Sequence, residues 1–416
     1  MKKASLINRK RLVGTFLEMI NINSPSFHEG PMGDYLEAKL RPLGFRVIRQ
    51  KYDASFNIIA FKKGSRKDVR PLILSGHMDT IEPTEGIRYT VRNGVIRSTG
   101  NTVLGADDKS AIAQILEAVT VIGEKDIPHG DMEIVITSAE ERGLHGSKNL
   151  DYRKIKGKHA LVLDSGGKVG KVVVAAPSHI TYEMYVIGKP AHAGIEPEKG
   201  INAIRVAAEI IASVPDGRID DETTANIGMI SGGTATNVVP KEVLIRGEVR
   251  SHNPATLKSI RNSVFLTAKD VVRKRGAKLR IQEQKEYRSF RVVPDEPFLA
   301  FADKVFERCG VKTEHVITGG GSDANVFSQQ DIIALNLSTG MQKVHSHEEF
   351  IATEDLMKGA LIVYTMVKEF PAFTVKQRDR KEEGGNDGDL CAFPFQSCIR
   401  SGSCDQRSGR TCLRAG

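Results

Sequence analysis

The chain has 416 residues, 40% of them hydrophobic and 27% charged, with a formal net charge of +9. That length suits two or three domains of about 150 residues, and the composition is that of a globular chain. No apolar run approaches the roughly 20 residues of a membrane helix, and no apolar stretch follows the basic N-terminus, so neither a membrane span nor a signal peptide is expected. The positive charge is scattered among acids. With no Trp and 8 Tyr, stacking platforms for nucleic acid are poorly supplied, and no nucleic-acid partner is expected.

A helix is predicted from about Ile7 to Ile22, and a second opens near His28 with apolar residues at Tyr35, Leu36 and Leu40. Strand-like runs follow at Phe45–Gln50, Asn57–Lys62 and Leu72–Ser75. Lys109–Ile122 reads as a helix with Ile112, Ile115, Leu116 and Val119 on its apolar face. Strands return at Met132–Thr137 and Ala160–Leu163. This alternation predicts an α/β layer, a mostly parallel sheet flanked by helices. From about Ser178 the order becomes βαββαβ, a split-βαβ pattern of the α+β kind. After Pro294 the α/β pattern resumes and ends in a helix, Thr353–Glu369. The expected organisation is one α/β domain, residues 1–177 and 290–370, interrupted by an inserted α+β domain, residues 178–289. Residues 371–416 are rich in Gly, Ser, Arg and Asp without an apolar period, and a disordered tail is expected there. Cys391, Cys398, Cys404 and Cys412 all lie in that tail, without the close C-x2-C pair of a zinc knuckle. Only Cys309 lies in the body, and the lack of a cysteine framework points to the cytoplasm.

Several acids and histidines fall at expected strand ends. The run Leu72–Gly76 ends in His77-Met78-Asp79. Residues i and i+2 of a strand point to one side, so His77 and Asp79 project together. A metal-bound imidazole needs its other nitrogen held by an oxygen acceptor. Gly105-Ala106-Asp107-Asp108 places two acids at a helix start, read either as a cap and first-turn acid or as a fixed carboxylate able to bridge two metals. Ser138-Ala139-Glu140-Glu141 follows a strand; of two adjacent glutamates, one can bind metal while the other acts as general base. A further strand ends in Asp164, and His345-Ser346-His347 lies far downstream among acids. Each motif alone also suits a solvated turn or a structural pair. Together, acids and histidines at strand ends of one layer suit two metal ions sharing a carboxylate. Nitrogen and oxygen donors without thiolate favour zinc, with cobalt or manganese as substitutes.

The ordered set SGHMDT, GADDKS, SAEERG, LDSGG and KVHSHEE resembles the dinuclear zinc exopeptidase superfamily of peptidase T, carboxypeptidase G, aminoacylase and succinyl-diaminopimelate desuccinylase. The stretches GKPAHAG, GINA and GGTATNVVP of the inserted segment are similar to its lid. The GADDK and HSHEEF forms most resemble the peptidase T branch. The resemblance implies that His77, Asp107 and Asp164 hold one metal and that Asp107, Glu141 and His345 hold the second. It implies that Asp79 orients His77, that Glu140 is the general base, and that His347 is a bystander. It further implies that His192 and Asn237 of the lid, Arg250, and Ser322 of the Gly319–Asp323 turn lie on the substrate side. The implied activity is release of the N-terminal residue of tripeptides or similar short peptides. A carboxypeptidase, or an N-acyl amino acid amidohydrolase or deacetylase, would use the same metal core. Pairing of two copies through the lid is also implied.

Overall fold

The computed structural model describes residues 6–383, apart from 54 and 68. The four tail cysteines, and any disulfide or metal knot they form, lie outside the described residues. Helices α1 (Arg9–Ile20) and α2 (Gly30–Leu40) come first. Strands β1 (Arg46–Tyr52), β2 (Ser55–Lys62) and β3 (Leu72–His77) follow, then the hairpin β4 (Tyr89–Arg92) and β5 (Val95–Ser98). Helix α3 (Ala106–Glu124) leads to β6 (Met132–Thr137), α4 (His145–Lys148), β7 (His159–Ser165) and β8 (Lys171–Ala176). The inserted segment contains β9 (Ser178–Ile187), α5 (Ala203–Ser213), β10 (Gly217–Asp220), β11 (Thr223–Gly232), β12 (Glu242–Ser251), α6 (Pro254–Lys274) and β13 (Lys278–Tyr287). The chain returns through β14 (Phe290–Arg291), α7 (Pro297–Arg308), β15 (Glu314–Ile317), α8 (Asp323–Phe327) and β16 (Ile333–Ser338). It ends in β17 (Met341–Gln342), β18 (Phe350–Ala352) and α9 (Thr353–Glu383). No helix among the described residues is long and apolar enough to cross a membrane.

The larger sheet runs β1-β2-β6-β3-β7-β16-β8-β14, with β15 on β8. Its centre, β6-β3-β7-β16, is parallel. The flanks are mixed: β1 with β2, β2 with β6, β16 with β8 and β14 with β8 are antiparallel, and β15 with β8 is parallel. The continuous parallel run belongs to the middle, where β3 and β6 are buried at every residue. Strands covered on both faces read as unbroken apolar runs, which is how they stood out in the sequence. The edge pair β1–β2 is joined too tightly for a parallel crossover, so it is antiparallel.

Helix α3 is buried nearly all round, not on one face. It lies against β3 and also under α1, and polar residues along it bond to both sides. Gln114 Nε2 donates to the Thr339 carbonyl at 2.7 Å. Glu117 accepts from Arg11 Nε at 2.6 Å and from the Asn8 amide at 2.8 Å. A helix so enclosed is a rigid platform for whatever its first turn presents.

The last helix does not stop at Glu369. It continues through Pro371 to Glu383, into the stretch expected to be a disordered tail. The reason is local and aromatic. Phe370 and Phe373 pack with Phe298 and Phe301 of α7 and with His159, the Phe301–Phe373 rings lying stacked at 4.9 Å. Such pairs add to the burial of the rings themselves.

The inserted segment forms its own antiparallel sheet, β10-β11-β12-β9-β13. Ile180, Tyr182, Met184 and Val186 alternate along β9 and pack with α5 and α6 around Ile245, Val264 and Phe265. The short strand β10 is additional to the expected βαββαβ order. Asn325 Nδ2 donates to the carbonyls of Pro177 at 3.2 Å and Arg288 at 2.8 Å. One buried amide therefore holds both segments by which the chain enters and leaves this unit. Phe370→Ala is expected to lower stability by about 3–5 kcal/mol, read as a fall in the urea midpoint of the full chain. An unchanged midpoint would show that α9 is not anchored by these rings.

Candidate active site

The parallel strands deliver their C-terminal ends to one place. His77 is the last residue of β3 and registers with Thr137 at the end of β6. Asp164 lies near the end of β7, and Glu140 and Glu141 directly follow β6. The sheet's order changes direction around β3, because β6 lies on one side of it and β7 on the other. Open α/β sheets bind ligands at such a crevice. The loop between β17 and β18 brings His345 across from the far end of the chain.

Asp107 is the centre of the constellation. Its Oδ1 lies 3.1 Å from His77 Nε2 and its Oδ2 lies 3.2 Å from His345 Nε2. His77 Nε2 is also 3.8 Å from Asp164 Oδ1, and His345 Nε2 is 2.9 Å from Glu141 Oε1. The other nitrogen of His77, Nδ1, donates to the Asp79 carbonyl at 2.9 Å. That bond fixes the ring so that Nε2 faces the carboxylates. The Asp79 side chain lies beside the same nitrogen, with Oδ1 3.4 Å from His77 Nδ1, and also holds the next loop. Its Oδ1 accepts from the Glu140 amide at 3.0 Å, and its Oδ2 accepts from the Glu141 amide at 3.2 Å and from Ser26 Oγ at 2.7 Å.

The electrostatics are those of crowded anions. Burial, followed by the Asp164 charge, raises the Glu140 carboxyl well above the usual carboxylate range. Burial likewise pushes Asp164 up to about 7 and raises Glu141. Burial opposes charge on His77, yet Asp107, Asp164 and Asp79 hold its pKa well above the ordinary histidine value. Hydrogen bonds donated to the Asp107 and Glu141 carboxylates push His345 up to about 10. Burial also disfavours charge on Asp107, but His345 and His77 outweigh it and hold that carboxyl low. Four carboxylates around two imidazoles, mostly out of water, call for cations.

The donor set fits two of them. His77, Asp107 and Asp164 present ligand atoms within 4.8 Å of one another, and so do Asp107, Glu141 and His345. The two sets share only Asp107, whose two oxygens face different histidines. The chain thus carries a candidate centre for divalent metal ions with nitrogen and oxygen donors.

Comparison with known proteins decides the family. Residues 174–275 match the family model of the peptidase dimerisation domain, and residues 57–180 match that of peptidase family M28. The crystal structure of aminopeptidase PepT from Bacillus cereus is 37% identical, covers 88% of this chain and 99% of its own, and superposes with a TM-score of 0.80. A tripeptidase from Staphylococcus aureus is 33% identical over 88% of this chain and 100% of its own, with a TM-score of 0.84. An uncharacterised Bacillus subtilis protein, YqjE, is 37% identical over 369 residues, 88% of this chain and 99% of its own. The chain belongs to the dinuclear zinc exopeptidase superfamily and groups with its peptidase T-like branch. It is a hydrolase of the peptidase class.

The remaining residues of the peptidase that the sequence singled out are not among these ligand groups. His192 and Asn237 are exposed and sit together on the lid, where the Ala193 amide donates to the Asn237 carbonyl at 2.9 Å. No described hydrogen bond joins either side chain to the cluster. Arg250 spans the junction between lid and catalytic sheet. Its guanidinium donates to Glu248 at 2.9 Å, to Tyr287 Oη at 3.3 Å and to the Gly319 carbonyl at 3.3 Å. Ser322 is buried, and its Oγ caps α8 by accepting from the Ala324 amide at 3.3 Å and also accepts from Asn336 Nδ2 at 3.1 Å. His347 is exposed, and Glu141 and Asp107 face His345 instead.

Three residues that hold the loops of the candidate ligands were not singled out in the sequence. Glu29, buried at the start of α2, accepts from the Ala139 amide at 2.9 Å and from Ser55 Oγ at 2.8 Å. It thereby steadies Ala139, whose φ of +47° lies in the left-handed region few non-glycine residues adopt. Asn336 brackets Asp164, accepting from its amide at 3.0 Å and donating to its carbonyl at 3.1 Å. Glu349 accepts three amides of the loop that carries Asp107. For Glu349 a signal existed, an acid beside the histidine pair, but its partners are 242 to 245 residues away. Asp79→Ala would leave the Glu140 and Glu141 amides unpaired. The expected cost is about 2–6 kcal/mol, from roughly 1–3 per stranded donor, measured by urea unfolding of the chelator-treated protein. An unaltered unfolding curve would show that the Glu140 loop holds itself.

Proposed function

We propose that this protein is a two-metal aminopeptidase that releases the N-terminal residue of short peptides, tripeptides in particular. The observation that carries the reading is the sharing of Asp107 between two histidine-containing ligand sets with Glu140 beside them. The aminopeptidase PepT and tripeptidase likenesses support the substrate class. His77, Asp107 and Asp164 would hold one ion, and Asp107, Glu141 and His345 the other. The ions are zinc by donor type, with cobalt or manganese as substitutes. When bound they supply Lewis acidity and a water acidic near neutral pH.

The chain's own residues do the rest. Glu140 is buried and its carboxyl is raised well above the usual carboxylate range, which strengthens it as a base. It takes a proton from the attacking water and hands that proton to the leaving amine as the C–N bond breaks. Asp79 keeps both the His77 ring and the Glu140 amide in place. His192 would donate to the oxygen of the scissile carbonyl as negative charge develops there, and Asn237 and Arg250 would hold the peptide backbone. In this reading residues 1–177 and 290–370 form the catalytic domain, and residues 178–289 form a lid. The match of residues 174–275 to a peptidase dimerisation domain supports pairing of two copies through that lid.

The direct test is incubation of zinc- and cobalt-loaded protein with di-, tri- and tetrapeptides and N-acyl amino acids, with products identified by mass. Loss of the first residue from tripeptides is expected. Release of the last residue, or cleavage of acyl amino acids alone, would move the assignment to a carboxypeptidase or an amidohydrolase. Glu140→Gln should keep both ions and lose about three orders of magnitude or more in kcat; near-normal turnover would remove Glu140 from the base role. His345→Ala should lose one of two bound ions while His347→Ala keeps both, as read by metal analysis of the purified variants. Equal metal content in the two would overturn the ligand assignment.

A further inference from the structure

We infer that Glu349 is a positioning residue of the metal centre, setting the distance between Asp107 and His345 without touching either side chain. This rests on the two-metal reading given above. Glu349 is 1% exposed, whereas its neighbour Glu348 is exposed and pairs with Lys343. The carboxylate of Glu349 grips one short loop. Its Oε2 accepts from the Leu104 amide at 2.6 Å and the Gly105 amide at 2.8 Å, and its Oε1 accepts from the Asp107 amide at 3.0 Å. Gly105 sits at φ +74° at the cap of α3, so the loop bends sharply there. A negative group is also favoured at the start of a helix.

The backbone of Glu349 is anchored on its own side. Its amide donates to the Ser346 carbonyl at 3.1 Å, and its carbonyl accepts from the Ser98 amide at 3.3 Å. Ser346 is next to His345, and Ser98 ends β5, the partner of β18. One residue thus ties the turn that bears His345 to the loop that bears Asp107. Those two side chains, with Glu141, make up the second ligand set. The backbone amides of the Asp107 loop are satisfied by Glu349, so both Asp107 oxygens stay free to face the two histidines. A residue that merely capped α3 would need only the helix amides. Glu349 also fixes where the cap stands relative to His345.

The test uses the full chain, stripped with chelator, as wild type, Glu349→Gln and Glu349→Asp. Cobalt(II) is titrated in and followed by calorimetry and by the visible bands of the bound ion. Thermal melting of the metal-free forms is recorded alongside. The amide of Glu349→Gln replaces one acceptor oxygen with a donor that faces N–H groups. It should weaken one of the two cobalt steps by about 10–100-fold and alter the visible bands, with the other step less affected. Glu349→Asp, which keeps the charge at shorter reach, should recover part of the loss, and it carries the test alone if the Gln variant does not fold. Two cobalt steps and bands identical to wild type in folded variants, with only the melting temperature lowered, would overturn the inference and leave Glu349 a helix cap. Failure of the wild type to take up two ions would overturn the two-metal reading and this inference with it.

Discussion

Concentrated negative charge at the end of a buried parallel sheet is the constraint around which this molecule is built. Asp107, Glu140, Glu141 and Asp164 crowd two imidazoles where little water can screen them. Like charges held this close repel, and their pKa values rise unless cations or donors intervene. Each anion must therefore be tied to a rigid part of the fold. β3, β6 and β7 supply three of the ties, because their parallel register brings His77, the Glu140 loop and Asp164 to one edge. The enclosed helix α3 supplies the fourth, because Asp107 sits on the non-helical kink at its start.

A second ring of acids serves the first without joining it. Asp79, Glu29 and Glu349 spend their oxygens on backbone amides of the ligand-bearing loops. Irregular loops carry amides that no ladder satisfies, and a buried unpaired amide is costly. A carboxylate answers several of them at once and leaves the ligand side chains free to turn toward the site. The same logic holds at the lid, where Asn325 satisfies both crossing segments and Arg250 reaches the Gly319 carbonyl.

The ligands were legible because metal chemistry restricts residue type and strands restrict direction. H-x-D after an apolar run, an acid pair at a helix start and paired glutamates after a strand each leave a local pattern. Their joint order along the chain carried the family. The positioning residues were not legible in that way. Glu29 and Glu349 look like ordinary surface acids, and only the folded chain shows what they accept from. The surroundings of Ser322 show the same limit, since its bonds to the Ala324 amide and Asn336 are visible only in the folded chain. The extension of α9 escaped notice because a polar segment was weighed by composition, whereas Phe370 and Phe373 find their partners on α7.

By itself the sequence determined the α/β alternation, the inserted unit and the residues proposed as metal ligands. These follow from hydrophobic period and donor chemistry, which act over short stretches of chain. Tertiary structure alone decided which strands are parallel, how far α9 runs and which acid grips which loop. Those outcomes depend on pairing between segments hundreds of residues apart. The Asp107 carboxylate shows both sides of the division: its presence is written in a short motif, but the direction of its two oxygens is set by Glu349 and the turn that bears His345.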